Sequence, residues 1–175
     1  MTLPSLSLIL GGAASGKSAY AEGLVRRAPG ARVYIATAEG FDDEMRAKIA
    51  AHRAAREQDG WRTVEAPLDL TAALAGITAD DVVLLDCATL WLSNVMLAGR
   101  DWWDEAAALI AALGSCPAPV VVVSNETGQG VVPENKLARE FRAAQGGLNQ
   151  QLAAEAGFVA VVMAGLPLVL KGAAS

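Results

Sequence analysis

The sequence predicts an α/β fold in which a mostly parallel sheet is covered by helices on both faces. Three observations lead there. Short apolar runs alternate with helix-like stretches along the whole chain. Some runs, such as 82–85 and 120–123, are apolar at every position, as strands buried on both faces must be. The first run ends directly on a glycine-rich turn that leads into a helical pattern.

The elements follow in order. Residues 6–10 form an apolar strand ending at Gly11-Gly12, and 18–27 has helical spacing stopped by Pro29-Gly30. RVYIAT at 32–37 reads as a second strand. Residues 42–57 form a long charged helix whose opening Asp42, Asp43 and Glu44 suit the positive end of its dipole. Gly60 ends that helix, 61–65 is a short strand, and 67–76 is expected to be helical. VVLLD at 82–86 is a central strand closing on a carboxylate, followed by helices near 90–97 and 102–113. A buried strand at 120–124 leads to a loop at 128–133. A helix over 134–156 has a weak point at Gly146-Gly147, and strands at 158–163 and 168–170 complete the sheet.

Bulk properties narrow the function. The 175 residues suit one domain spanning 1–175, and 53% hydrophobic content suits buried parallel strands. A net charge of −5 argues against a nucleic-acid partner. Arg46, Arg53, Arg56 and Arg62 nevertheless cluster, as a small anionic ligand requires. Two cysteines make no disulfide framework. The opening segment has no basic region ahead of its apolar run, and 82–97 is interrupted by Asp86, Ser93 and Asn94, so no membrane span is expected. A cytoplasmic protein is the expectation.

Gly11, Gly12, Ala13, Ala14, Ser15, Gly16, Lys17 and Ser18 fit G-x4-G-K-[ST] without a mismatch. Glycines let the backbone approach phosphates closely, successive amides point inward as an anion nest, and the following helix adds its positive end. Lys17 then neutralises the β- and γ-phosphates and Ser18 offers a hydroxyl to Mg²⁺. A carboxylate at the tip of a neighbouring strand is needed to complete the magnesium site, and Asp86 is the candidate. Capping the helix after it is the competing role for Asp86, and the two are compatible.

His52 is the only histidine. Met45, Ile49, His52 and Arg56 share one helical face, with Lys48 and Arg53 beside it. Nearby cations disfavour protonation, which would leave a nucleophilic imidazole next to groups able to hold phosphates. The residues alone leave two readings open: a nucleophile, or a surface histidine on a solvated cationic face.

Beyond these readings, the chain resembles the bifunctional adenosylcobinamide kinase/adenosylcobinamide-phosphate guanylyltransferase family. The resemblance rests on GGAASGKS at 11–18, YIATAE at 34–39, DDEMRAKIAAHRAAR at 42–56, WRTVE at 61–65 and DCATLWLSN at 86–94. SNETGQGVVPENKLAREFR at 124–142 and NQQLA at 149–153 continue it in the same order. H-R-x-x-R followed by W-x-T-x-E, and N-E-x-G-x-G-x-V-P-E-N, are its most distinctive parts.

That resemblance implies a RecA-like P-loop NTPase fold, a homotrimer, and two reactions with adenosylcobinamide and GTP or ATP as substrates. The first is phosphorylation of the corrinoid's aminopropanol hydroxyl. The second is transfer of GMP from GTP through a guanylyl-histidine, which falls on His52. The implied nucleotide contacts fall on Gly11–Ser18 as numbered above, on Ala36, Thr37 and Ala38, on Arg53, Ala54, Ala55 and Arg56, and on Glu65 and Asp86. Two departures stand out: Ala14 where members often have arginine, and Ala143 where they commonly have aspartate.

Three further expectations concern neighbouring residues. Asn125, Glu126, Gly128 and Gly130 follow a buried strand at the sheet edge where α/β proteins bind ligands. Glu134-Asn135 is expected to cap the next helix. Trp91, Trp102 and Trp103 are expected in the core or at subunit contacts.

Overall fold

A computed structural model describes residues 2–39 and 43–173. The chain runs β1 (Leu6–Gly11), α1 (Lys17–Arg27), β2 (Ala31–Ala36), α2 (Asp43–Gln58), β3 (Arg62–Glu65), α3 (Leu70–Ala75) and β4 (Asp81–Asp86). It continues with α4 (Ala88–Leu97), α5 (Trp102–Ser115), β5 (Val120–Asn125), α6 (Lys136–Glu155), β6 (Phe158–Met163) and β7 (Leu166–Lys171). The expected helix opening at Asp42 lies outside the described residues at that one position.

One seven-stranded sheet results, in the order β3-β2-β4-β5-β1-β6-β7. Every pairing is parallel except β6 with β7. Parallel neighbours need crossover helices, and those helices cover both faces, which is why β4 and β5 tolerate apolar residues at nearly every position. The pleat sorts them. Leu8, Val83, Leu85, Val120 and Val122 pack on the face covered by α3, α4, α5 and α6. Ile9, Val82, Leu84, Val121 and Val123 pack on the opposite face with Ala21, Leu24 and Val25 of α1. Full burial of each such side chain stabilises the fold by about 1.5–3 kcal/mol before chain entropy is counted. No helix among the described residues is long and apolar enough to cross a membrane.

The α/β architecture is the expected one, with a strand (β5) inserted between the strand that ends in the glycine loop and the strand that ends in Asp86, as in RecA-like sheets. Three local expectations change. The helix expected over 67–76 is only Leu70–Ala75. The carbonyls of Pro67 and Leu68 instead accept hydrogen bonds from Asn94 Nδ2 at 3.0 Å and Trp91 Nε1 at 2.8 Å, which pins that stretch outside any helix. Helix α6 does not break at Gly146-Gly147. A Cβ at Gly147 would stand 3.1 Å from the Trp102 ring, so this glycine makes room for α5. The last strand is longer than 168–170 because Ala164 (φ 51°) and Gly165 (φ 77°) make a two-residue turn that pairs all of β7 back onto β6.

The tryptophans divide as well. Trp91 is buried, Trp102 packs beneath α6, and Trp103 is 58% exposed.

Candidate functional site

The glycine loop leaves the carboxyl end of β1, in the middle of the sheet, and α1 begins at Lys17. Its conformation explains its composition. Ala14 and Gly16 both have left-handed backbone, at φ 54° and 91°. Such turns aim successive amides into one concavity, where anions bind. A Cβ on Gly11 would meet Ser15 Oγ at 2.4 Å and the Val162 carbonyl oxygen at 2.7 Å, so no larger residue fits. The loop is also braced from outside, because Gly165 N donates to the Ser15 carbonyl at 2.8 Å. Gly16 faces that same hairpin turn, its missing Cβ leaving only 3.1 Å to Gly165 Cα. Lys17 arches back over the loop, donating to the Gly12 carbonyl at 3.1 Å.

Beside the loop, on the α1 face of the sheet, lies a cavity of about 380 Å³ lined by Ser18, Glu22, Tyr34, Ala36, Ala38, Arg56, Leu84 and Asp86. It joins Ser18 of the loop motif to the Asp86 carboxylate, as the sequence expectation requires. Asp86 is not the helix cap: Cys87 caps α4, its sulfur accepting from Leu90 N at 3.5 Å. Asp86 instead accepts a hydrogen bond from Tyr34 Oη at 3.0 Å. Burial, and then the negative charge of Asp86, push the Tyr34 phenol far above its ordinary pKa, so it stays a neutral donor. The Arg56 guanidinium lies 3.7 Å from the centre of the Tyr34 ring. Acid, phenol and guanidinium thus form one stack on the cavity wall.

The other predicted residues fall around this stack. Ala36 pairs with Asp86 across β2 and β4 and with Glu65 across β2 and β3, so all three lie at one sheet edge. Thr37 is fully buried, and its hydroxyl both donates to the Cys87 carbonyl and accepts from Cys87 N, each at 2.8 Å. Its side chain therefore fixes the turn after Asp86. Arg53 pairs with Glu57 at 2.9 Å and with Glu65 at 3.2 Å. Ala54 and Ala55 are exposed. His52 lies on α2 one turn before Arg56. Its side chain, like those of Met45, Ile49 and Lys48, is outside the described residues. Asn135 caps α6 through its side-chain oxygen, as expected of the Glu134-Asn135 pair.

Sequence reasoning overlooked Tyr34, Glu22 and Asn94. Strand alternation places Tyr34 with Ala36 on one face, but its partner Asp86 is 52 positions away, so only the strand order joins them. Asn94 Nδ2 bonds the carbonyls of Thr37 and Pro67, each at 3.0 Å, tying α4 to the segment after β2.

A second cavity, of about 350 Å³, lies between α4 and α6 and is mostly apolar, with Met96, Leu97, Leu137 and Phe141 on its walls. It has no titratable lining residue, whereas the cavity beside the loop brings together a carboxylate, a guanidinium and the loop hydroxyl.

Comparison with known proteins decides the family. The sequence model of the family described as cobinamide kinase / cobinamide phosphate guanyltransferase matches residues 7–170. The chain belongs to this family.

Relatives agree. The bifunctional adenosylcobalamin biosynthesis protein CobU of Salmonella typhimurium is 43% identical over 180 residues, covering 94% of this chain and 98% of its own. The bifunctional adenosylcobalamin biosynthesis protein CobP of Pseudomonas aeruginosa is 46% identical over 168 residues, covering 94% and 96%. CobU of Escherichia coli K12 is 43% identical with the same coverage as the Salmonella protein. Among solved structures, the P4 protein from bacteriophage phi6 in complex with ADP is a distant likeness, with TM-score 0.46 and 16% identity over 94% of this chain and 52% of that one. The family match extends from the first strand into the last, so the loop, α2 and Asp86 all fall inside it.

Proposed function

We propose that this protein phosphorylates adenosylcobinamide with ATP or GTP and then converts the product to adenosylcobinamide-GDP with GTP. The convergence of Ser18, at the end of the 11–18 loop, with Asp86 and Arg56 on one cavity supports this most, because both reactions need a held and neutralised polyphosphate. In the first reaction the corrinoid hydroxyl attacks the γ-phosphorus, its proton is lost, and a nucleoside diphosphate leaves. In the second, a ring nitrogen of His52 attacks the α-phosphorus of GTP and pyrophosphate leaves. A phosphate oxygen of adenosylcobinamide phosphate then displaces His52 and takes the GMP. Passing through a phosphoramidate splits one hard displacement into two easier ones.

The chain's residues divide the work. The loop amides and Lys17 hold the phosphates, and Arg56 supplies a further cation from α2. Glu65 and Arg53 pair across the junction of α2 and β3, and Ala36, Thr37 and Ala38 form the backbone wall. The residues fit a magnesium ion: a serine hydroxyl and a carboxylate are hard oxygen donors lining one cavity. No cluster of three or more His, Cys, Asp or Glu side chains occurs among the described residues, so phosphate oxygens and water would complete the shell. Ser18 and Asp86 would hold it, and it would neutralise phosphate charge. The proposed setting is the cytoplasm, with residues 1–175 acting as one domain.

A homotrimer is part of the same reading. Leu166, Leu168, Val169 and Leu170 of the edge strand β7 are 51–72% exposed, an apolar margin suited to another copy of this chain.

The test is product analysis with adenosylcobinamide, GTP and magnesium. Two successive corrinoid products, a phosphate ester and then a GDP derivative, are expected. A phosphate ester alone would reduce the protein to a small-molecule kinase and leave His52 without a chemical role.

A further inference from the structure

On the premise that residues 11–18 hold a polyphosphate, we propose that Gly165, in the turn between β6 and β7, is a positioning residue for that ligand. Its amide fixes the Ser15–Gly16 peptide so that the Gly16 N–H faces the phosphates.

The hydrogen bonds within the loop set the problem. Ser15 N turns back to the Gly12 carbonyl at 3.4 Å, and the Gly16 carbonyl accepts from Tyr20 N at 3.0 Å as α1 begins. Between these two groups stands the Ser15–Gly16 peptide. Its carbonyl points out of the loop and accepts from Gly165 N at 2.8 Å. In a planar trans peptide the carbonyl and the N–H point in opposite directions. Holding the Ser15 oxygen outward therefore aims the Gly16 N–H inward, where an anion nest needs a donor.

Without that bond the orientation is weakly held. A peptide plane turns over by rotation about ψ of the residue before it and φ of the residue after it. Gly16 stands at φ 91°, and glycine is the residue whose φ rotates most freely. The freedom that lets the loop take its shape also lets this one peptide turn over. A donor outside the loop removes that freedom.

The hairpin is built to present the donor. Ala164 (φ 51°) and Gly165 (φ 77°) are both left-handed, and Met163 pairs with Leu166 directly across the turn. β6 lies beside β1, with Val162 level with Gly11, so sheet register brings the turn to the flank of the loop. A Cβ on Gly165 would meet nothing within 4 Å. Substitution there disturbs the amide through φ alone, without crowding. Asparagine visits the left-handed region readily, alanine less so, and β-branched valine least.

The experiment titrates magnesium with GTP, and magnesium with inorganic tripolyphosphate, into the wild-type protein and into Gly165→Asn, Gly165→Ala and Gly165→Val. Tripolyphosphate has no base or sugar and reads the loop alone. Thermal unfolding and the kinetics of corrinoid phosphorylation are measured in parallel. Gly165→Asn should stay within about twofold of wild type, Gly165→Ala should bind about threefold more weakly, and Gly165→Val about tenfold, with equal losses for both ligands. KM for GTP should rise in the same order while kcat holds within about twofold, the pattern of lost ground-state binding that a loosened fold would not produce. A Gly165→Val chain that fails to fold leaves the threefold difference between the Asn and Ala variants to decide. Unchanged affinity in every folded variant, or a loss in Gly165→Asn as large as in Gly165→Ala, would overturn the proposal. Wild-type protein that bound neither GTP nor tripolyphosphate would overturn the reading of the loop itself, a failure distinct from loss of the Gly165 role alone.

Discussion

Helices α1 and α2 both deliver residues to the same cavity, and they are built in opposite ways. α1 buries Ala21, Leu24 and Val25 against four strands, and the loop that feeds it is fixed by backbone hydrogen bonds from the turn between β6 and β7 and from the residue after β5. Among the described side chains of α2, all are exposed except half-buried Arg56. It meets the sheet through polar and aromatic contacts: Arg53 with Glu65, and Arg56 over Tyr34. The contrast matches two chemical tasks. Holding a polyphosphate calls for a preorganised concavity, which backbone and buried packing supply. The proposed attack on the α-phosphorus calls for one side chain to approach a ligand already held, and a helix whose described side chains are almost all exposed can do that at low cost in packing.

If this division is right, damage to each helix should have a different reach. Lys17→Ala on α1 should cut both corrinoid phosphorylation and GMP transfer by at least about 10²-fold, measured as product formed per turnover with GTP. His52→Ala on α2 should abolish GMP transfer yet keep phosphorylation within a few-fold; equal loss of both reactions would erase the distinction.

Gly16→Ala comes next in size. Its φ of 91° and the 3.1 Å approach to Gly165 Cα should weaken triphosphate binding roughly tenfold or more, read by titration, while the rest of the sheet stays folded. Tyr34→Phe removes the hydroxyl donated to Asp86 and should raise the magnesium concentration needed for half-maximal activity by about three- to tenfold.

The smallest effect on function is expected at the opposite end of β4. Asp81 is buried, which alone would raise its pKa, but the Thr78 amide and hydroxyl and the Arg62 guanidinium outweigh that and hold it below the ordinary carboxylate value. A lowered native pKa means its contribution to stability is full above the unfolded-state value and is lost as pH falls through the native one. Asp81→Asn should cost about 1–2 kcal/mol at neutral pH and flatten the acid limb of the stability curve, leaving nucleotide affinity unchanged.

The same contrast explains what was legible in the sequence. The loop was readable because phosphate chemistry dictates backbone shape, and backbone shape dictates Gly11, Gly16 and Lys17 at fixed spacing. Runs such as 82–85 and 120–123 were readable as strands because burial on both faces leaves only apolar residues. Helix α2 was visible as a helix, but His52 was not interpretable from its neighbours; the family resemblance supplied its role. Tyr34 escaped because its role depends on strand order: it meets Asp86 only once β2 and β4 are adjacent. Asn125 was a candidate from the sequence, and the pairing of β5 with β1 sets it level with Gly11. The short α3 and unbroken α6 were misjudged for a related reason. The Pro67 and Leu68 carbonyls and the gap at Gly147 answer to Asn94, Trp91 and Trp102, none of them near in sequence.

The most direct test of the proposed division between a fixed phosphate cradle and a nucleophile carried on α2 uses GTP labelled at either the α- or the γ-phosphate, with no corrinoid present. The account predicts an acid-labile, base-stable label from the α-position alone, mapped to the peptide bearing His52. Label retained from the γ-position, or α-label mapped to any other residue, would contradict it.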